Sequence, residues 1–140
     1  MSGIEFLLDT NVVIGLLKGS APAVALARDA GLVLGSAGVS QITRMELLGF
    51  PALAEQEEQA ARAFLSRCQV LGISDDVEAY AIRLRRAGLL KLPDAIVAAT
   101  ALVNGARLLT LDQRVGRVVA QCSALEANAV NSAPPSLGET

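Results

Sequence analysis

Histidine and tryptophan are absent from this sequence of 140 residues. Without histidine, the chain has no Ser-His-Asp or Cys-His catalytic group, no imidazole zinc ligand and no imidazole acid or base. Aromatic residues make up only 3%, namely Phe6, Phe50, Phe64 and Tyr80. This scarcity argues against an RNA-binding surface on which bases stack against interleaved aromatic side chains. Any catalytic chemistry is therefore left mainly to carboxylates.

The sequence also lacks a CxxC pair and a long hydrophobic run. Its two cysteines are Cys68 and Cys122, and we expect both to be reduced thiols, because they have neither disulfide-framework nor zinc-site spacing. No apolar run approaches the roughly 20 residues that cross a membrane, and the N-terminus has no basic region of the signal-peptide type. We therefore expect a cytoplasmic protein that does not associate with membranes.

The chain is rich in aliphatic residues and has the length of one domain. Hydrophobic residues make up 52% and charged residues 19%, which predicts a real core built from Leu, Val, Ile and Ala. Near its end the chain has adjacent prolines and little periodicity. We expect a folded domain over residues 1–122 and a flexible C-terminal tail over residues 123–140.

Charge is distributed unevenly along the sequence. The formal net charge is -2, but residues 1–80 carry -5, whereas residues 81–120 carry seven basic and two acidic residues. Ten of the 12 basic residues are arginine, which suits bidentate contact with phosphate. A solvated helix face would explain Arg83, Arg85 and Arg86 equally well. One segment could therefore meet a polyanion although the whole chain is acidic.

Short apolar runs alternate with helical patterns along the chain. Strands are predicted at about 4–8, 32–40, 69–73 and 107–110. Helices are predicted at about 12–17, 23–30, up to 48, 53–67, 75–87, 94–103 and 113–120. The helix from Asp94 is almost wholly apolar and must be buried on most sides. Alternation of this kind predicts an α/β fold, a single domain with a central parallel sheet flanked by helices.

Four carboxylates occupy corresponding ends of these predicted elements. Asp9 follows the first strand, Glu46 lies on the helix after the second, Asp94 begins a helix and Asp112 follows the last strand. Taken singly, Asp94 could be a helix N-cap, and Asp9 and Asp112 could be turn formers. Because sites in α/β sheets form outside the carboxyl ends of the strands, all four can converge on one edge. There they would repel one another unless a hard cation such as Mg²⁺ or Mn²⁺ bound between them.

Each of these acids lies within a longer motif. The four motifs, in chain order, are LLDTNVVIGLLKG (7–19), VSQITRMELLGF (39–50), RRAGLLKLPDAIVAATAL (85–102) and ARLLTLDQRVGRV (106–118). Together they resemble the PIN-domain ribonucleases, and within them the VapC-type toxins of type II toxin-antitoxin pairs. One such motif occurs by chance, whereas four in the family's order make a specific signal.

The resemblance implies a metal-dependent endoribonuclease that cleaves RNA phosphodiester bonds by water attack, inhibited by a cognate antitoxin and commonly a homodimer. The implied catalytic residues are the acids Asp9, Glu46, Asp94 and Asp112. Among them, Asp9 and Asp94 would hold Mg²⁺ or Mn²⁺ directly. The expected substrate-binding residues are Asn11, Thr110, Arg86 and Arg114. From charge alone, we expect a bound antitoxin to place a basic side chain among the four acids.

Two other interpretations remain open. One is a catalytically inactive PIN-like module that binds RNA or a protein. The other is a general RNA-processing nuclease without an antitoxin. A phosphoacceptor receiver domain fits poorly, because no acidic pair follows the first strand and no lysine follows the last. A HAD-type phosphatase would need an aspartate where Asn11 stands.

Overall fold

The structure, a computed structural model, describes residues 3–132, with side chains through residue 126. The strands in this part of the chain are β1 (Phe6–Leu8), β2 (Ala37–Ser40), β3 (Gln69–Leu71) and β4 (Arg107–Leu109). The helices are α1 (Thr10–Lys18), α2 (Ala21–Ala30), α3 (Gln41–Leu48), α4 (Glu55–Ser66), α5 (Asp75–Arg86), α6 (Leu92–Asn104) and α7 (Gln113–Ser132).

The four strands form one parallel sheet in the order β3-β2-β1-β4. In the register of this sheet, Leu7 of β1 pairs with Gly38 of β2 on one side and with Leu108 of β4 on the other. The predicted α/β fold, a central parallel sheet flanked by helices, is confirmed. Because the strands run in the same direction, the residues that follow them meet at one edge of the sheet.

Strand β1 is buried on both of its faces, as expected for an inner strand of a parallel sheet. Its side chains alternate, so Phe6 and Leu8 join the core formed with α1, α3 and α4. Leu7 points to the opposite face and packs with Val97 and Ala101 of α6. Strand β1 therefore packs into a hydrophobic core on each face, which fixes the position of Asp9, the residue that follows it.

Helix α6 is the buried helix that the sequence predicted. Ala95, Ala98 and Ala99 are fully buried and pack with α5 and α7, since small side chains allow close approach. The helix begins at Leu92, and Lys91 is its N-cap residue, with no side-chain capping hydrogen bond. Asp94 is thus the third helical residue, and the interpretation of Asp94 as an N-cap is wrong.

The segment predicted as one long strand, 32–40, is shorter in the structure. A 3₁₀ turn covers Leu34–Ser36 before β2 begins. The backbone N–H of Ser36 and its hydroxyl both donate to the carbonyl of Val33, at 3.0 and 2.9 Å. These two hydrogen bonds close the turn around Gly35 and leave only four residues for the strand.

Helix α7 is longer than predicted, running to Ser132 rather than to Ala120. On its added turns, Glu126 accepts a hydrogen bond from the hydroxyl of Tyr80 on α5. This hydrogen bond links the added turns of α7 to α5. Residues 123–132, assigned to the tail from the sequence, are helical, and residues 133–140 lie outside the described residues.

Both cysteines, Cys68 and Cys122, are free thiols, as predicted. In residues 3–132, no single helix is both long and apolar enough to cross a bilayer. Helices α1 and α2 reach the length and apolar composition of a membrane span only when they are taken together, and they meet at an angle of 110°.

Candidate active site at the carboxyl edge of the sheet

Asp9 is the innermost of the four acids, only 5% exposed. It follows β1 directly and is the N-cap residue of α1, where its Oδ1 accepts the backbone N–H of Thr10 at 2.8 Å. Its Oδ2 accepts the hydroxyl of Thr110 at 2.7 Å. Burial raises the pKa of Asp9 above its usual 3.8, although the hydrogen bonds from Thr110 and Thr10 act to lower it.

Asn11 and Thr110 connect Asp9 to the loop after β4. The Asn11 amide donates to Asp9 Oδ2 at 3.4 Å, and its carbonyl accepts the backbone N–H of Leu111 at 3.0 Å. The Thr110 hydroxyl, besides donating to Asp9, accepts the backbone N–H of Asp112 at 3.0 Å. Both residues therefore lie beside Asp9, and their polar atoms fix the position of Asp9 and of the loop that carries Asp112.

Glu46 reaches the same edge from α3, the helix that follows β2. Ser40 ends β2 and caps α3 through its hydroxyl, which accepts the N–H of Ile42 at 3.2 Å. Glu46 is exposed, and its Oε1 accepts the hydroxyl of Thr10 at 2.7 Å. A second hydroxyl, that of Thr43, lies 3.0 Å from Thr10 Oγ1.

Asp94 is half-buried in the first turn of α6. Within the described residues its carboxylate takes part in no hydrogen bond or ion pair, so both oxygens are free to bind a ligand. Desolvation by burial raises its pKa above 3.8, and the negative charges of Asp9, Asp112 and Glu46 raise it further. Lys91 acts in the opposite direction.

Asp112 is exposed and stands just before α7. Its Oδ1 accepts the backbone N–H groups of Arg114 at 2.9 Å and Val115 at 3.1 Å. It is thus the N-cap of α7, whereas the sequence had suggested a turn former as its structural role, and the capping hydrogen bonds involve only one of its two oxygens. The other oxygen remains available to the site.

The four predicted acids are close enough for their charges to interact, since Glu46 and Asp112 also raise the pKa of Asp9. In the part of the chain that the structure describes, no three acidic or thiol side chains form a compact metal cluster. Coulombic repulsion acts over longer distances than metal coordination, so the four acids share one edge of the sheet without forming a compact metal cluster. A few carboxylates can bind Mg²⁺, because this ion keeps several water molecules.

The two arginines predicted to bind RNA lie in different surroundings. Arg86 is exposed in the last turn of α5, with no ion pair among the described residues. Arg114 is exposed too, but its Nε donates to the carbonyl of Leu89 at 3.1 Å and its Nη2 to that of Gly88 at 3.5 Å. Arg114 therefore fastens the loop before α6 to the start of α7.

Sequence reasoning did not identify Thr10 as a hydrogen-bond partner of Glu46. Thr43 stands three residues before Glu46, a spacing that places both on one side of α3. A threonine next to Asp9 and a threonine one turn before Glu46 were the available signals. Neither signal indicates that α1 and α3 lie side by side.

Comparison with known proteins places the chain among its relatives. The model of the PIN domain family matches residues 6–120. A chain of a toxin-antitoxin complex from Klebsiella pneumoniae is 33% identical, with a TM-score of 0.66, over 77% of this chain and 87% of that one. FitAcB from Neisseria gonorrhoeae contains a chain that is 23% identical, with a TM-score of 0.66, over 82% and 93%. VapBC-1 from nontypeable Haemophilus influenzae contains a chain that is 23% identical, with a TM-score of 0.64, over 84% of this chain and 94% of that one.

No curated protein matches the chain. The structural likenesses at 23% identity show the fold alone. The family match is more informative, because it extends from β1 into α7 and contains all four acids. The resemblance inferred from the four motifs is confirmed, and the chain belongs to the PIN domain family.

Proposed function

We propose that the protein is a metal-dependent endoribonuclease, and that it is the toxin of a toxin-antitoxin pair. PIN domain proteins are nucleases, and one observation carries the catalytic part of the proposal. Asp9, Glu46, Asp94 and Asp112 approach one another from four different elements. Burial raises the pKa of Asp94, and repulsion from the other three acids raises it further. A bound cation would offset that repulsion.

We assign direct metal binding to Asp9 and Asp94, with Mg²⁺ or Mn²⁺ as the ion. Among the described residues, neither oxygen of Asp94 has a hydrogen-bond partner. Asp9 Oδ1 accepts a single hydrogen bond and keeps a lone pair, whereas Oδ2 accepts hydrogen bonds from both Thr110 and Asn11. Glu46 and Asp112 each have one oxygen engaged and one free, which suits contact through water. Such an ion lowers the pKa of a bound water and offsets the charge that develops on phosphorus.

The protein's own part in cleavage is to position water and phosphate. The free oxygens of Glu46 and Asp112 orient the attacking water and accept hydrogen bonds from it. Attack by water, rather than by the RNA 2′-hydroxyl, leaves a 5′-phosphate and a 3′-hydroxyl and needs no histidine, in keeping with the composition.

The basic segment supplies contacts to the RNA backbone. Lys91 is exposed and close enough to the site to lower the pKa of Asp94. Arg86 lies in the last turn of the preceding helix and has no competing carboxylate among the described residues. We therefore assign phosphate binding to Arg86 and Lys91. Arg114 contributes charge while it fastens the loop, and Asn11 and Thr110 act on the substrate through Asp9. We place this activity in the cytoplasm.

A cognate antitoxin would bind in an apolar groove beside the site. The groove has a volume of about 170 Å³ between α1, the end of α3 and α4. Ile14, Leu17, Leu47, Phe50 and Leu53 line it, and Phe50 is 58% exposed. Because the 33% identical structure is a toxin-antitoxin complex, we assign this groove to an apolar helix of the antitoxin.

Co-purification with the protein encoded beside it tests the antitoxin assignment. Phe50→Asp should abolish the complex by placing a charge in the groove, and should leave RNA cleavage intact. Val33→Asp is the matched control, because Val33 is 64% exposed and lies outside the groove. An intact complex with Phe50→Asp, or equal loss with both variants, would reject the assignment.

We also propose a homodimer. Ile82 on α5 and Leu92 and Val103 on α6 are exposed apolar side chains outside the groove, and a second copy could cover them. Light scattering of the purified protein at micromolar concentration measures the mass, and a monomer at all concentrations would exclude a stable dimer.

The nuclease activity is tested with purified protein on total RNA and on synthetic single-stranded RNA. Cleavage should require Mg²⁺ or Mn²⁺, stop in EDTA, leave 5′-phosphates and disappear in Asp94→Asn. The Asp94→Asn protein also controls for contaminating nuclease. RNA that binds but stays whole with either metal would favour a binding module instead. Cleavage by a protein with no neighbouring antitoxin would favour a general processing nuclease.

A further inference from the structure

Three side chains from two helices form a chain of hydrogen bonds that ends on Glu46. Thr43 Oγ1 lies 3.0 Å from Thr10 Oγ1, and Thr10 Oγ1 lies 2.7 Å from Glu46 Oε1. Thr43 is 0% exposed, Thr10 is half-buried and Glu46 is exposed. This series of hydrogen bonds therefore runs from the protein interior to the edge of the sheet where the four acids lie.

The direction of these hydrogen bonds follows from proton counting. An ionised carboxylate only accepts hydrogen bonds, so Thr10 must donate its single hydroxyl proton to Glu46. Thr10 then has none left for Thr43, and the Thr43 hydroxyl must be the donor of the 3.0 Å bond. Because Thr43 is inaccessible to solvent, its hydroxyl does not donate to bulk water instead.

Within the described residues, the Thr43 hydroxyl has no hydrogen-bond partner other than Thr10. The side chain is fully buried, and valine would fill the same space with no polar atom to desolvate. Glu46, in contrast, is an exposed side chain with several rotatable bonds and would sample many conformers without a fixed partner.

We propose that Thr43 is a positioning residue for Glu46 and acts through Thr10. We call the hydrogen bonds from Thr43 to Thr10 and from Thr10 to Glu46 the relay. The relay fixes Oε1 of Glu46 and leaves Oε2 without a hydrogen-bond partner in the described residues, so that Oε2 can bind water or a metal-bound ligand. The inference rests on the proposed function, since it assumes that Glu46 serves a metal-dependent site. It assigns the positioning of Glu46 to two uncharged residues, Thr10 and Thr43.

Mn²⁺ affinity, measured by calorimetry on the RNA-free protein, tests the relay independently of turnover. Thr43→Val should weaken Mn²⁺ binding about tenfold or more, as loss of a partner that orients a metal-site ligand does, and should lower cleavage as well. Thr43→Ser keeps the hydroxyl and should restore both. Thr100→Val is the matched control, because Thr100 is equally buried but donates only to the carbonyl of Ile96 in its own helix, at 2.7 Å.

A double-variant cycle separates the relay from a general effect on packing. In a Glu46→Ala protein, Thr43→Val should cause no further loss of Mn²⁺ affinity, because the group that Thr43 positions is gone. Equal losses with and without Glu46 would overturn the proposal, as would a folded Thr43→Val protein with unchanged affinity. If Thr43→Val does not fold, Thr10→Val must show the loss instead, and wild-type affinity in that variant would overturn the relay.

Failure of the relay differs from failure of the proposed function. A wild-type protein that binds Mn²⁺ and cleaves RNA, with Thr43→Val equal to it, rejects the relay alone. A wild-type protein that neither binds Mn²⁺ nor cleaves RNA rejects both.

Discussion

Thr110→Val tests whether a single hydroxyl holds the ionised Asp9 in place. The change removes the hydrogen bond to Asp9 Oδ2 at 2.7 Å and the one accepted from the Asp112 N–H at 3.0 Å. The first involves a charged group and contributes roughly 1.5 to 3 kcal/mol, and the second about 1 kcal/mol. The added methyl group recovers about 0.8 kcal/mol. We expect the free energy of unfolding to fall by about 2 to 3 kcal/mol at pH 7.5.

The loss should depend on pH in a defined direction. Burial raises the folded-state pKa of Asp9 above 3.8, and the Thr110 hydrogen bond partly opposes this rise. Both proteins therefore lose stability as pH increases through the pKa of Asp9, and Thr110→Val loses more. Below that pKa the carboxyl is neutral in both, so only the smaller contribution of the neutral hydrogen bonds separates the two proteins.

Urea unfolding followed by circular dichroism, in EDTA at pH 7.5 and at pH 3, which lies below the usual pKa of aspartate, measures both effects. For a domain of this size the expected loss lowers Tm by roughly 8 to 12 °C. Thr110→Ser, which keeps the hydroxyl, should stay close to wild type. A Thr110→Val protein as stable as wild type, or a penalty that is the same at both pH values, would refute the assignment of the hydroxyl to ionised Asp9.

Asp94→Asn should abolish cleavage, yet the variant should unfold at a higher temperature at pH 7.5, because the raised pKa of Asp94 means that its charge opposes folding. This gain in unfolding temperature should vanish as the pH falls toward 3.8. An Asp94→Asn protein less stable than wild type at pH 7.5 would contradict the prediction. A methyl group at Gly15 would lie 2.5 Å from a side-chain atom of α2, so Gly15→Ala should lower stability by about 1 to 3 kcal/mol, whereas Gly35→Ala, with nothing within 4 Å, should not. Arg114→Leu should lower Tm, because it releases the loop before α6 that Arg114 holds. Arg86→Gln should leave Tm unchanged and weaken RNA binding in a filter assay. A lower Tm with Arg86→Gln and weaker RNA binding with Arg114→Leu alone would contradict the roles assigned to the two arginines.

Much of the fold could be predicted because local pattern and tertiary packing agree. The apolar run of β1 and the alanine-rich pattern of α6 specify burial on more than one side, and both elements lie inside the structure. The pattern fails where a distant contact decides. On the added turns of α7, Glu126 accepts a hydrogen bond from Tyr80, which is 46 residues away, and no window of local sequence contains both residues.

The candidate site could be predicted as a set of acids but not as a network. The position of each acid after a strand or on the next helix follows from parallel topology. The partners of these acids do not, because they depend on which side chains the packed helices bring together. Arg114 shows the difference: its charge suggested phosphate, whereas its guanidinium reaches two carbonyls 25 and 26 residues away.

The hydrogen bonds that join Asp9 and Asn11 to Thr110 and Leu111 span about 100 residues of chain. β4, which carries Thr110 to this edge, is the last strand to be synthesised and pairs with the first. A growing chain on the ribosome therefore cannot bring the four acids together until residues 107–112 have emerged and β4 has paired with β1. An activity that needs all four acids would begin only at that stage of synthesis.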